Sequence, residues 1–365
     1  MTKITNKRIT YKELKDGTYK NAYIPQDDKF PVTCHLTTGL RDAMITCPSN
    51  KDDSKTFMHV FLDQGKEVGR AYYFGTRFKG GDKVYYAQTS FGLEVIEEYR
   101  SEGVGAELVL FPLTNNEYDF VLFAGIALKV LPLYRKLKYH LFEVPQYYKV
   151  KHARYVFRSL RPSSWLALGR YIVQKCKDIP YRIKSSRLKK KFIIQKELII
   201  PEWVTEMVAN EGHKYMEIHD KEWFQWSLDH ETHGYKEDIN TFYSIRSKDN
   251  KPMAFFMTKE RTIKKTGPNN GIVIGTVVEW ESIDKSILSE AYINLLAIQS
   301  FSKKVDVIYT LACESDTADQ LINMGFHERA SFKIGIKDKK KLLEDIGDKN
   351  LWRLRYGYTS MVFSS

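Results

Sequence analysis

Arg100, Gly103 and Gly105 stand at R-x-x-G-x-G spacing in "YRSEGVGAEL", the stretch from Tyr99 to Leu108. Glycine allows tight backbone and the close approach of another group. Apolar residues resume at once, with Leu108, Val109, Phe111 and Leu113 at helical spacing. The glycines therefore fall where a helix begins, and a helix N-terminus offers unpartnered amides and partial positive charge. That combination reads as a phosphate cradle; the competing reading is a glycine-containing cap with no ligand. A second constellation, "DHETH" from Asp229 to His233, sets two histidines three apart beside carboxylates. It lacks a third well-spaced ligand, so it reads as a polar surface stretch and no metal is expected.

A third feature is charge. Between Lys149 and Lys191 there are eight Lys and six Arg against Asp178 alone, which accounts for the whole formal excess of +12. Such a stretch attracts phosphate-bearing partners, or is simply a solvated linker. Its part "SSWLALGRYIVQKCKDIPYRIKSSRLKKK" mixes Trp165, Leu166, Leu168, Tyr171, Ile172 and Val173 with the cations. A basic amphipathic helix lies on an anionic membrane or packs on a domain and shows its cations to water; packing is the favoured expectation.

The 365 residues, 43% hydrophobic and 28% charged, have globular composition. The four cysteines, Cys34, Cys47, Cys176 and Cys313, form no C-x-x-C pair and fit a reducing compartment. The polar start "MTKITNKRIT" has no signal-peptide core. The longest apolar run, "FVLFAGIAL", stops at Lys129, short of the roughly 18 residues a membrane span needs. A soluble, cytoplasmic protein is expected.

The elements that would position the glycines follow a repeated order. "TFMHVFLD", "RAYYFGTRF" and "KVYYAQTSFGLEV" read as a three-stranded meander, then the glycine helix, the strand in "DFVLFAGIALKV", the short helix "LPLYRKLKY" and the strand "HLFEVPQYYKV". The second half repeats the order through "TFYSIRS", "MAFFMTKERT", "IVIGTVVEW", an amphipathic helix in "SILSEAYINLLAIQSFSKK", "VDVIYTLAC", "DTADQLINMGF" and "ERASFKIGI", with "LWRLRYGYTSMVF" as a further strand. The fold class expected is α+β, mixed α/β, in two related domains.

"LEVIEEYRSEGVGAELV" resembles the acyl-CoA-binding motif of the GNAT acyltransferases, with Arg100, Gly103 and Gly105 in its fixed positions and Ala106 following. "LPLYRKLKY" resembles the same family's late block through Leu133, Tyr134, Lys136 and Tyr139, departing at Lys138 where glycine is usual. "LINMGFHERASF" resembles that block again through Gly325 and Phe326, whereas "EWESIDKSILSEAY" carries no glycine signature. The resemblance implies two tandem GNAT-like domains, each a central mixed, mostly antiparallel sheet flanked by helices. Residues 1–160 would form the first, with the acyl-CoA motif; 161–191 a basic connecting segment; and 192–365 the second, lacking the glycines.

The resemblance further implies that acyl-CoA, most simply acetyl-CoA, is the co-substrate. Amides from Ser101 through Val104 to Ala106 would face its pyrophosphate, with Gly103 and Gly105 allowing close approach. Arg100 would hold the loop or face the phosphates. The strands Val84–Val95 and Asp119–Gly125 would part to admit the pantetheine, held by main-chain groups near Leu93 and Val95. An amide near Leu93 would stabilise the oxyanion, a contribution of roughly 2.7–4 kcal/mol. Tyr134 matches the tyrosine that protonates the leaving thiolate. Strand alternation places Thr89, Phe91, Leu93 and Val95 on one face and Glu94 on the other, so no general base is assigned.

"EWFQWSLDHETHGYKEDI" loosely resembles the acceptor-side segment of GNAT domains in surface-polysaccharide gene sets, which implies acceptor contacts from His230, His233 and Tyr235. The expected activity is transfer of an acyl group from acyl-CoA to an amino group of an amino sugar or cell-surface precursor, an acceptor that the cations suit if it is anionic. Two alternatives stand beside it. One is an aminoacyl-transfer protein of the peptidoglycan-bridge type, which usually lacks an intact CoA signature. The other is a non-catalytic module binding RNA or membrane through the basic segment, with Tyr147, Tyr148, Tyr155 and Phe157 for stacking; nucleic acid is not the expected partner, because such a module needs no CoA-type loop.

Overall fold

A computed structural model of the chain describes residues 4–18, 38–153, 155, 165–230, 239–263 and 270–357. The first half begins with β1 (Thr5–Thr10), α1 (Tyr11–Lys15) and α2 (Thr38–Thr46). The meander follows as β2 (Thr56–Asp63), β3 (Lys66–Gly80) and β4 (Lys83–Val95). Next come α3 (Val104–Thr114), β5 (Phe120–Ala124), α4 (Leu131–Lys136) and β6 (His140–Val150). The basic segment contains one long helix, α5 (Trp165–Lys191), which leads to β7 (Ile193–Glu197), α6 (Trp203–Ala209), β8 (Tyr215–Glu217) and α7 (Lys221–Asp229). The second meander is β9 (Ile239–Arg246), β10 (Pro252–Thr262) and β11 (Val273–Ser282). It continues with α8 (Glu290–Ser300), β12 (Val307–Leu311), α9 (Ser315–Asn323), β13 (His327–Asp338) and β14 (Trp352–Arg353).

The two halves repeat the order read from the sequence, and their sheets are continuous. The strand order is β1-β2-β3-β4-β5-β13-β6-β12-β11-β10-β9-β7, with β8 and β14 branching from β3. At the centre, β13 of the second half lies between β5 and β6, and β6 of the first half lies between β13 and β12. The first half thus lends β6 to the second and the second lends β13 to the first, so neither half's sheet is complete by itself. A core cluster joins Tyr72, Phe74 and Phe91 of the first half to Trp223, Phe242, Phe255 and Met257 of the second.

The sequence pattern of the second-half helix is amphipathic, but α8 buries Ala291, Ile293, Asn294, Leu295, Leu296 and Ala297 around its circumference, because it is packed between α5 and the sheet. "LWRLRYGYTSMVF" is not one strand: only Trp352–Arg353 pairs as β14, and residues 358–365 lie outside the described residues. No described helix is long and apolar enough to cross a membrane.

Candidate functional site

β4 and β5 run parallel for two residue pairs only, Ala87–Phe120 and Gln88–Val121. Beyond Gln88 the strands part. The separation is pinned where it starts: Asn115, which caps the end of α3, donates through Nδ2 to Gln88 Oε1 at 2.9 Å. Past this point β4 carries a bulge. Tyr72 of β3 faces Phe91 and Arg70 faces Glu94, so Gly92 and Leu93 together oppose Ala71. Gly92 adopts φ +58, a left-handed conformation that glycine takes without steric cost. A bulge leaves a main-chain group outside the ladder, and this one falls beyond the point where β5 has parted from β4.

The bulge overturns the strand-parity expectation. Phe91 stacks on Tyr72, with centroids 5.0 Å apart, in the core shared by both halves. Val95 packs instead with Ala71, Tyr73, Val104 and Leu108 beneath α3, and Leu93 bridges that cluster to the one around Tyr134. Thr89 and Phe91 therefore lie on one face and Leu93 and Val95 on the other. The extra residue brings Glu94, opposite Arg70, to the Thr89–Phe91 face, where Arg70 sits over the Tyr72 ring at 5.9 Å. Thr89 Oγ1 is buried with no hydrogen-bond partner among the described residues.

α3 starts where β4 ends. Glu97–Glu102 form a 3₁₀ turn, and Gly103 closes it with φ +82 as the helix N-cap. No side chain caps the helix, so the first-turn amides of Val104, Gly105 and Ala106 are left for another acceptor. The start of α3 seats closely on the sheet because β3 has Gly69 beneath it: a Cβ there would come within 2.4 Å of Val104 Cγ1. A Cβ on Gly105 would meet only Val95 Cγ2, at 3.6 Å. The protein itself thus has room for a side chain at 105, and the space beside that amide suits a ligand oxygen. These residues fit the phosphate end of an acyl-CoA.

The turn is tied down from both sides. Arg100 donates through Nε to the Val95 carbonyl at 3.1 Å, and Tyr99 donates to Asp63 Oδ2 at 2.5 Å. Arg100 therefore holds the loop, with its side chain otherwise at the surface, and the Val95 carbonyl is engaged by it. Ser101 is exposed within the turn. Glu107, in the first turn of α3, accepts from Asn6 Nδ2 at 3.3 Å.

Tyr134 lies on α4, packed edge-on against Phe123 and Tyr139 at 5.4 and 5.0 Å. Its hydroxyl makes no hydrogen bond among the described residues, and burial raises its pKa above the ordinary phenol value. Leu93, the bulge residue, packs against this cluster, so the bulge and the tyrosine border the same gap. His230 is elsewhere, at the end of α7, with Nε2 2.7 Å from Thr46 Oγ1 of α2. His233 and Tyr235 lie outside the described residues. Among the described residues no cluster of His, Cys, Asp or Glu is suited to a metal ion.

The corresponding gap of the second half is filled. β11 and β12 run parallel from Ile274–Val307 to Thr276–Tyr309 and then part. The segment Trp352–Gly357 lies along that gap: Gly357 donates to the Val278 carbonyl at 3.0 Å, and Arg353 donates to the Trp280 carbonyl at 3.2 Å. Arg353 also pairs with Glu279 and, at 3.5 Å, with Glu281. Arg355 pairs with Glu290 and lies 4.0 Å over the Trp280 ring. His219 Nδ1 completes the cluster, 3.0 Å from Glu279 Oε1. Sequence reading missed this network. Its signal was present: alternate glutamates in "VVEWES" and alternate arginines in "WRLRY", each among mostly apolar residues.

No protein-family profile matches the chain, and no curated protein matches it in sequence. Solved structures do. N-myristoyltransferase from Saccharomyces cerevisiae with bound myristoyl-CoA is 13% identical with a TM-score of 0.57, over 93% of this chain and 83% of that one. A GCN5-related N-acetyltransferase from Anabaena variabilis is 9% identical with a TM-score of 0.51, over 93% and 73%. A probable N-acyltransferase from Enterococcus faecalis is 11% identical with a TM-score of 0.51, over the same shares. The chain has the two-domain fold of the GNAT-type N-acyltransferases.

Proposed function

We propose that the protein is an acyl-CoA-dependent N-acyltransferase whose first half holds the donor. The observation that carries this reading is the parting of β4 from β5 after two residue pairs, with the Gly92–Leu93 bulge on one side and the uncapped start of α3 at its end. The donor supplies a thioester-activated acyl group. The amides of Val104 to Ala106 hold its phosphates, and Gly105 leaves the space they occupy. The bulge amide near Leu93 is the hydrogen-bond donor for the thioester oxygen.

Tyr134 keeps its proton at neutral pH because burial disfavours the phenolate, and its Oη delivers that proton to the departing sulfur. Glu94 is the carboxylate that takes a proton from the acceptor ammonium, a role the bulge opens by turning it to the Thr89–Phe91 face. Acetyl is the simplest donor group. The acceptor is the amino group of an amino sugar or cell-surface polysaccharide precursor, a choice supported by the loose likeness of the segment around α7.

Titration calorimetry with acetyl-CoA and longer acyl-CoAs, followed by a thiol-release assay over amino-sugar acceptors, tests the reading. Donor binding to the intact protein with acceptor-dependent thiol release is expected. Absence of binding by every acyl-CoA tried rejects it.

A further inference from the structure

The basic helix α5 presents two features that acyl transfer does not use. One face packs on α8, and between them lies a cleft of about 360 Å³ whose wall carries Lys149, Lys151, Lys175, Arg182 and Lys189 against one carboxylate, Asp178. Asp178 is already committed: Lys149 Nζ donates to its Oδ1 at 2.5 Å, and Lys175 lies 4.0 Å from its Oδ2. Arg182 and Lys189 have no ion-pair partner among the described residues. Ser185 also lines the cleft, is 2% exposed, and its Oγ has no hydrogen-bond partner among the described residues. Cations in excess beside a buried, unspent hydroxyl suit a phosphate group.

The second feature lies on the neighbouring face. Ile172, Ile179 and Ile183 fall at helical spacing on one stripe, Val173 flanks it, and each is more than half exposed. Burial of large aliphatic side chains is favourable, so four left in water on one helix mark a surface with a partner. Ile179 and Ile183 are helical neighbours of Arg182 and Ser186, both of which line the cleft. The apolar stripe and the cationic cleft therefore adjoin.

We propose that α5 docks the protein onto an anionic membrane surface. The isoleucine stripe enters the boundary between headgroups and acyl chains, and the cleft beside it takes a lipid phosphate. Charge complementarity selects this partner: exposed aliphatics flanked by Arg187, Lys190 and Lys191 match a surface that is apolar beneath and anionic above. The inference is independent of the acyl-transfer reading, since it needs no catalysis.

The test is flotation of the full chain with phosphatidylcholine vesicles, with and without phosphatidylglycerol. Co-flotation is expected only with the anionic vesicles, and it weakens at high salt as the Debye length falls from about 10 Å at 0.1 M to about 3 Å at 1 M. Ile179→Ser with Ile183→Ser, both at exposed positions, lowers partitioning about tenfold or more. Arg182→Gln with Lys189→Gln does the same from the cleft side. The proposal is overturned if wild-type protein stays unbound to anionic vesicles or if the isoleucine pair variant floats as wild type does. Saturable binding of inorganic pyrophosphate without flotation overturns it too, by assigning the cleft to a soluble phosphate.

Discussion

Arg355 donates a hydrogen bond to Glu290, the first residue of α8, and both side chains are buried. In the first half the equivalent helix, α3, begins at Val104 after a left-handed glycine, with no side chain capping it. The start of α3 is thus open to a ligand anion, whereas the first residue of α8 is a buried carboxylate held by Arg355 of the segment that fills the gap. Burial alone would raise the Glu290 pKa, but Arg355 and Lys285 outweigh it, and the group is held below its ordinary range.

One acyl-CoA per chain is therefore expected, bound to the first half. Calorimetry on the intact protein should give a single site; two sites of comparable affinity would refute the assignment. Arg355→Ala should cost about 3 kcal/mol, because it removes the buried partner of a buried carboxylate and leaves it paired with Lys285, at 3.9 Å. Glu290→Gln should cost less, and denaturant titration of the two variants orders them.

Gly105→Val probes the cradle. The added side chain meets only Val95 at contact distance, so the variant should fold. It should nonetheless lose acyl-CoA binding, since the side chain takes the space reserved for the ligand. Unchanged affinity in a folded variant would remove Gly105 from the site. Gly103→Val is the contrasting case, because its φ of +82 makes any side chain strained, with a cost of order 1–3 kcal/mol.

Most of this architecture was legible in the sequence. The boundaries of β4 matched its apolar run, and the glycine pair fell at the start of α3, because turn chemistry and periodicity are local signals. The exchange of β6 and β13 was not legible, because strand pairing across some 190 residues leaves no local mark. The bulge at Gly92 was missed for a related reason: strict alternation is the default reading of a strand, and one glycine does not say that an extra residue has entered the ladder. That omission hid Glu94.

Tyr134→Phe should lower kcat by about 10²–10⁴-fold while sparing acyl-CoA affinity. The hydroxyl has no hydrogen-bond partner among the described residues, so its removal leaves no group unsatisfied and stability should hold. A wild-type kcat excludes the proton-donor role.

Glu94→Gln should depress kcat/KM by about 10²–10⁴-fold, with the donor still bound. A wild-type kcat/KM would assign the base to another group and leave Glu94 as a carboxylate opposite Arg70 with no part in the chemistry.

Stability at low pH is the last expectation, and His59 governs its first phase. The ring is 2% exposed, lies 4.8 Å from Phe61 and 4.9 Å from Phe111, and neither nitrogen has a hydrogen-bond partner among the described residues. Burial, and then the charge of Arg8, lower its pKa from 6.5 to about 4. The unfolded chain therefore takes up a proton below pH 6.5 that the folded chain refuses until about pH 4, so stability falls across that window. The loss should amount to about 3–4 kcal/mol. Glu211 acts lower. Burial would raise its pKa, but the His213 hydrogen bond and Arg353 outweigh it and bring it to about 2. Its contribution is full above the ordinary carboxylate value of 4.5 and is lost as pH falls toward 2. Denaturant titrations of wild type and His59→Leu, run from neutral pH down to pH 2, separate the two groups. The variant should lose distinctly less stability across the upper window, while below it the two proteins should decline together. Parallel decline throughout would show that His59 takes up its proton in the folded chain as readily as in the unfolded one.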